Sequence, residues 1–316
     1  LSEGFRRDYA PNSCIGTTAQ KEKNVKVIVA QSAGFCFGVS RAVNLTKEAA
    51  HKGAYALGNV IHNADVIAML EQRGLVTVKD PADVPPGSTA VIRAHGACRS
   101  VYEELAAKNA EWVDTTCPFV RRIHRIVEEA ALNKQPVLII GDANHPEVLA
   151  IADRAYEATI LSNPSDWQSL LASHPSWRTD PLCVVAQTTL DRNAWEFCVN
   201  AIKKECTNAQ IFDTICNATD TRQKEAQTLA EQADVMLVVG DPQSANTRRL
   251  FELCRARCKE TYFIAGADEL SDEFCESIRT RPGILGITAG ASTPVWKIKE
   301  VNNKMRGEEA VLSTPD

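Results

Sequence analysis

The chain has 316 residues, 44% of them apolar, with 35 basic against 40 acidic side chains and a net charge of −5. That much apolar sequence excludes a disordered or fibrous chain, and the length favours about two domains. No stretch reaches the ~18 uninterrupted apolar residues of a membrane helix, and residues 1–24 carry scattered charge with no apolar run, so neither a span nor an export signal is expected.

Short β-branched runs alternate with helical patterns along most of the chain. Strands are predicted at 25–30, 54–57, 75–78, 89–93, 112–114, 136–140, 158–161, 183–187, 210–212, 235–239, 261–264 and 284–287. Amphipathic helices lie between many of them. One is predicted at 119–131, where Phe119, Val120, Ile123, Ile126, Val127 and Ala130 follow helical spacing. The alternation is that of an α/β chain with parallel sheets covered by helices, a class that gathers ligands at the carboxyl ends of its strands.

The cysteines number 11, an odd count in a large apolar chain without an export signal, which points to reduced thiols and a cytoplasmic location, or a plastid if the source is eukaryotic. Three of them, Cys36 in AGFCFGV, Cys117 in DTTCPFV and Cys216 in DTICNAT, each close a strand end and open a helix. Their spacing suggests three units of roughly 90 residues. Other loops recur in step: His62 in GNVIHN, His145 in GDANHPE and Ser244 in GDPQSAN follow the cysteines at nearly equal distances. A later set comprises His95 in RAHG, Thr188 and Thr189 in AQTTL, and Ser292 in TAGAS.

The strand at 25–30 is then left over, and the third unit lacks a final strand. The first strand is therefore expected to complete the third unit, closing three pseudo-threefold-related α/β units into a ring. The units are 36–116, 117–215, and 216–305 with 25–35; residues 1–24 and 306–316 are expected to be flexible ends. An ordinary two-domain α/β protein, whose strand-end loops recur because each needs turn and cap residues, is the competing reading.

A thiol just before a helix N-terminus feels the positive end of the dipole, which favours the thiolate. Three such thiolates meeting near one axis can hold zinc with an open position or an iron–sulfur cubane with one iron lacking a protein ligand, and the absence of histidine among them favours iron–sulfur. The outer loops, with His62, His95, His145, Thr188, Ser244, Asn246 and Ser292, form a donor-rich anion site suited to phosphate. No Walker loop and no GxGxxG is present, which argues against a nucleotide and against an NAD-dependent dehydrogenase. Glu147 is the one carboxylate beside these donors; shielded there, it can be protonated at neutral pH and serve as a general acid.

The motifs GFC, VIHN, AHG, DTTCP, NHPE, QTTL, DTICNAT followed by RQ, SAN and TAGAS, in this order over about 25–301, closely resemble those of the LytB family of 4-hydroxy-3-methylbut-2-enyl diphosphate reductases. The resemblance implies a cloverleaf of three α/β units around a central [4Fe-4S] cluster, held by Cys36, Cys117 and Cys216 with one iron free for substrate. It implies a diphosphate site of His62, His95, His145, Ser244, Asn246 and Ser292, with Gln187 and Thr219 lining the same cavity. Glu147 then delivers protons, Thr188 bonds the substrate's alcohol oxygen, and His145 belongs to the catalytic group. The implied reaction, last in the non-mevalonate isoprenoid pathway, gives isopentenyl and dimethylallyl diphosphate, with a ferredoxin or flavodoxin as electron donor.

Two departures stand out: Ala245 occupies the place of a second serine common in the family, and Phe37 that of a small residue. A redox-inert zinc or diphosphate binding protein on the same scaffold is the alternative. Cys254 and Cys258 in FELCRARC could clamp a metal but have no further ligand nearby in sequence. Those two, with Cys14, Cys98, Cys183, Cys198, Cys206 and Cys275, are expected to serve packing.

Overall fold

The computed structural model describes residues 24–308. Most of the two expected flexible ends, and Cys14, lie outside the described residues. Within them, Arg306 ends a helix that Gly307 closes in the left-handed conformation (φ 73°).

Three four-stranded sheets, parallel throughout, form the frame. The first holds β2 (Ala54–Leu57), β3 (Leu75–Val78), β4 (Thr89–Ile92) and β5 (Glu111–Asp114) in the order β3-β2-β4-β5. The second holds β6 (Val137–Ile140), β7 (Ala158–Leu161), β8 (Leu182–Ala186) and β9 (Ala209–Ile211) in the order β7-β6-β8-β9. In the third, β10 (Val235–Val239), β11 (Glu260–Ile264) and β12 (Gly283–Ala289) are joined by β1 (Val25–Val29), in the order β11-β10-β12-β1. Val25 lies opposite Gly283 and Val29 opposite Ile287. Three equivalent α/β units thus replace the two domains suggested by length, and the predicted strands shift by no more than a residue or two at their ends.

Central strands such as VLII of β6 and VMLVV of β10 are buried along their whole length. Their alternate residues feed opposite faces: Val137 and Ile139 join one core cluster, Leu138 and Ile140 another. Three pairs of helices cover equivalent faces of the sheets. They are α1 (Phe37–Ala50) with α2 (Ala64–Gln72), α4 (Pro118–Leu132) with α5 (Pro146–Ala152), and α8 (Asn217–Gln232) with α9 (Ala245–Arg255). The opposite faces take α3 (Arg99–Ala107), α6 (Trp167–Ser173) with α7 (Arg192–Glu205), and α10 (Asp272–Arg279) with α11 (Val295–Arg306).

In α4 the predicted apolar stripe packs inward through Val120, Ile123, Val127 and Ala130, while Phe119 stays exposed. Among the described residues no helix is long and apolar enough to cross a membrane. Because every strand runs the same way within its sheet, the loops that begin α1, α2, α4, α5, α8 and α9 all leave carboxyl ends of strands.

Candidate active site

Cys36, Cys117 and Cys216 are the N-cap residues of α1, α4 and α8, following edge strands β1, β5 and β9. Pro118 occupies the first turn of α4, where its missing N–H costs nothing. The three thiols line one cavity. Space between them is kept open by Gly38: a Cβ there would sit 2.6 Å from the Cys117 sulfur and 3.9 Å from that of Cys36. The helix N-termini do donate to sulfur, as when Thr219 N–H meets Cys216 Sγ at 3.3 Å. Burial nevertheless outweighs them, pushing Cys117 up to about 11 and raising Cys216, with the neighbouring thiolates adding to the rise. At Cys117 and Cys216 the thiolate preference read from helix position alone is therefore reversed in the free protein, and a bound cation is what would draw the protons off.

This donor set fits a thiophilic metal centre. Three sulfurs and a gap that only glycine leaves open match a group held by three cysteines, and the one carboxylate of the cavity, Glu147, is engaged by Thr188.

The same cavity is walled by His62, His95, His145, Ser244, Asn246 and Ser292. His95 lies 5.2 Å from His62 and 5.1 Å from His145, ring centre to ring centre. One nitrogen of each imidazole lies within 4.8 Å of the others. Burial and mutual repulsion hold His95 well below the ordinary imidazole range, and burial brings His145 down to about 4 and lowers His62. His145 Nδ1 accepts the Glu147 N–H at 3.2 Å, so its Nε2 carries the hydrogen. Several wall atoms are buried without a partner: His62 Nδ1, His95 Nδ1, both amide atoms of Asn246, and Ser292 Oγ. Orphaned polar atoms are costly, and so many on residues that wall one cavity mark a ligand's place. Ser244 Oγ accepts Thr247 N–H at 3.3 Å as the cap of α9, which leaves its own hydrogen free to donate.

Glu147, in the first turn of α5, is 2% exposed. Thr188 N–H donates to its Oε1 at 2.6 Å, and Thr188 Oγ1 lies 2.7 Å from its Oε2. Burial raises its pKa, and the two Thr188 bonds only partly offset that.

Gln187 is the expected residue that does not line this cavity. Its Oε1 accepts the Asp142 N–H at 3.0 Å and its Nε2 donates to Thr189 Oγ1 at 3.0 Å, bracing the Gly141 loop beside a neighbouring cleft. Thr219 does line it, with its hydroxyl 3.0 Å from Cys216 Sγ. Cys254 and Cys258 are core residues bonded to the carbonyls of Ala226 and Asp234. Sequence reasoning missed the basic groups around the cavity. Arg93 and Arg248 act on His62 and His145 from nearby, with Asp241 and Asp142 opposing them. Arg222 reaches the cavity from α8, and its only signal was the RQ following DTICNAT.

A family model described as LytB protein matches residues 27–306. A protein of Caldanaerobacter subterraneus subsp. tengcongensis named 4-hydroxy-3-methylbut-2-enyl diphosphate reductase is 37% identical over 292 residues, covering 89% of this chain and 97% of its own. One of the same name from Geotalea uraniireducens is 40% identical over 279 residues, covering 88% and 95%. A solved structure of (E)-4-hydroxy-3-methyl-but-2-enyl diphosphate reductase, described as the terminal enzyme of the non-mevalonate pathway, aligns with TM-score 0.65 at 32% identity, over 90% of this chain and 99% of that one. The Plasmodium falciparum E-1-hydroxy-2-methyl-but-2-enyl-4-diphosphate reductase aligns with TM-score 0.80 at 27% identity, over 89% and 87%.

Proposed function

The chain belongs to the LytB protein family, and from that premise we propose that it reductively removes the hydroxyl group of 4-hydroxy-3-methylbut-2-enyl diphosphate. Two electrons and two protons enter, one carbon–oxygen bond breaks, and water leaves with isopentenyl or dimethylallyl diphosphate. The observation that carries the reading is a single cavity with three convergent thiols, one shielded carboxyl and a wall of unpartnered donors. Cys36, Cys117 and Cys216 are the ligands of a [4Fe-4S] cluster, which when bound supplies the electrons and, at the iron without a cysteine, a Lewis acid. A ferredoxin- or flavodoxin-type protein is the donor in this reading.

The remaining residues bind, orient and protonate. His62, His95, His145, Ser244, Asn246 and Ser292 hold the diphosphate, with Arg93 and Arg248 adding attraction. The Thr188 hydroxyl donates to Oε2 of the ionised Glu147 carboxyl; in the neutral acid, since Oε1 accepts from the Thr188 N–H, the proton belongs on Oε2 and the hydroxyl rotates to accept it. Thr188 then turns its own hydrogen into the cavity, towards the substrate's alcohol oxygen, and is replenished by Glu147. Burial raises the pKa of Glu147, which favours the protonated acid that this role needs.

Anaerobically purified protein tests the reading directly. About four iron and four sulfide per chain, with substrate consumed under a chemical reductant, is the expected result. Colourless protein holding one zinc, still binding diphosphate but turning nothing over, would replace it with the redox-inert alternative.

A further inference from the structure

Arg222 is almost wholly buried on α8, and no step described above uses it. Its Nε donates to the Ser32 carbonyl at 3.0 Å, while Nη2 donates to the carbonyls of Ser32 at 2.6 Å and Gly34 at 2.7 Å. From the next turn of the same helix, Glu225 accepts the backbone N–H groups of Gln31 at 2.6 Å and Ser32 at 2.8 Å. One helix thus grips both the acceptors and the donors of the segment that carries the chain from β1 to Cys36.

The third guanidinium nitrogen, Nη1, is buried without a partner. A dry cation with a free donor is costly unless negative charge faces it. Burial lowers the pKa of Arg222, and the groups that oppose this are Cys36 and Cys216, whose negative charge a bound metal would bring out, then Glu225. Among the described residues that line the cavity, Arg222 is the only lysine or arginine.

We propose that Arg222 is a positioning residue for the three-cysteine centre: its bonded edge sets the Cys36 loop, and its guanidinium brings a fixed positive charge to the lining of the cavity that holds Cys36 and Cys216. The inference rests on reading those cysteines as cluster ligands. A fixed cation favours the more negative, reduced state of such a centre and so raises its potential. Lysine keeps the charge but lacks the planar fork that holds several carbonyls at once.

The test is a redox titration of cluster-loaded protein followed by absorbance and electron paramagnetic resonance, together with the rate at which a chelator strips iron. Arg222→Met is expected to lower the midpoint potential by about 59 mV or more, a tenfold shift in a one-electron equilibrium. Arg222→Lys is expected to stay within that margin yet lose iron at least tenfold faster than wild type. An unchanged potential in folded, loaded Arg222→Met overturns the role of the charge. A wild-type stripping rate in Arg222→Lys overturns the role of the fork, and decides the matter alone if Arg222→Met does not fold. A wild-type protein that binds no cluster sinks the functional reading itself, whereas a normal wild-type cluster with two indistinguishable variants sinks only this inference.

Discussion

At the ends of β1, β5 and β9 the three units present the same residue, a cysteine capping a helix. At the ends of β2, β6 and β10 they present His62, His145 and Ser244, and at the ends of β4, β8 and β12 His95, Thr188 and Ser292. Equivalent places in one repeated frame have kept threefold symmetry on the floor of the cavity and lost it on the wall. A metal centre asks for identical soft ligands and is served by repetition. A substrate with a charged end and a reacting end asks for different groups on different sides, which repetition alone does not supply.

The floor should be the more sensitive of the two. Cys117→Ala breaks the symmetric set, and iron analysis should show most of the metal lost, with turnover reduced well beyond the ~10–100-fold typical of a change one step removed from a metal. Retention of full iron would mean the three thiols do not act together. On the wall, Glu147→Gln should keep iron and diphosphate affinity but lower turnover by ~10²–10⁴-fold, measured under a saturating chemical reductant. Near-normal turnover would remove Glu147 from the proton path.

Titration sharpens the contrast further. His145 stands at about 4 in the free protein, and an entering diphosphate must raise it, so binding takes up protons and affinity weakens as pH rises, by up to about tenfold per unit for each proton. Calorimetry in buffers of different ionisation enthalpy reads that uptake; none between pH 6 and 8 would place the anion elsewhere. Without ligand, the same group acts on the fold. Its folded pKa lies below the ordinary 6.5, so the unfolded chain binds more protons, and stability present above 6.5 is lost as pH falls from there to about 4. Thermal melts of His145→Asn should show a shallower decline across that window. The smallest effect is expected of Ala245→Ser, which adds a hydroxyl to the wall and should improve diphosphate affinity by about 1 kcal/mol or less.

What the sequence disclosed follows the same division. Strands such as VLII and VMLVV could be read because parallel strands covered on both faces are apolar throughout. The cysteine helices announced themselves because N-caps and Pro118 are local features. Contacts between distant segments left weaker traces. Arg222 depends on the Ser32 and Gly34 carbonyls, which no nearby residue foretells. Gln187 was placed in the cavity by the family resemblance, yet it stands just past the end of β8 where the chain turns, and its amide serves the Gly141 loop. The raised thiols of Cys117 and Cys216 were missed because a helix dipole can be read locally, whereas desolvation comes from everything packed around it.

The pairing of β1 with β12 bears on how the molecule is made. A chain emerging from the ribosome presents the Cys36 segment early, but the strand leading to it has no hydrogen-bonded neighbour until residues 283–287 have followed. Loop closure over that span is slow and entropically expensive, so the first two sheets are expected to form while the third waits. Cys36 thus caps a helix of the first unit while its preceding loop hangs from a strand of the third, and that loop is fixed only once residues 283–287 have paired with β1.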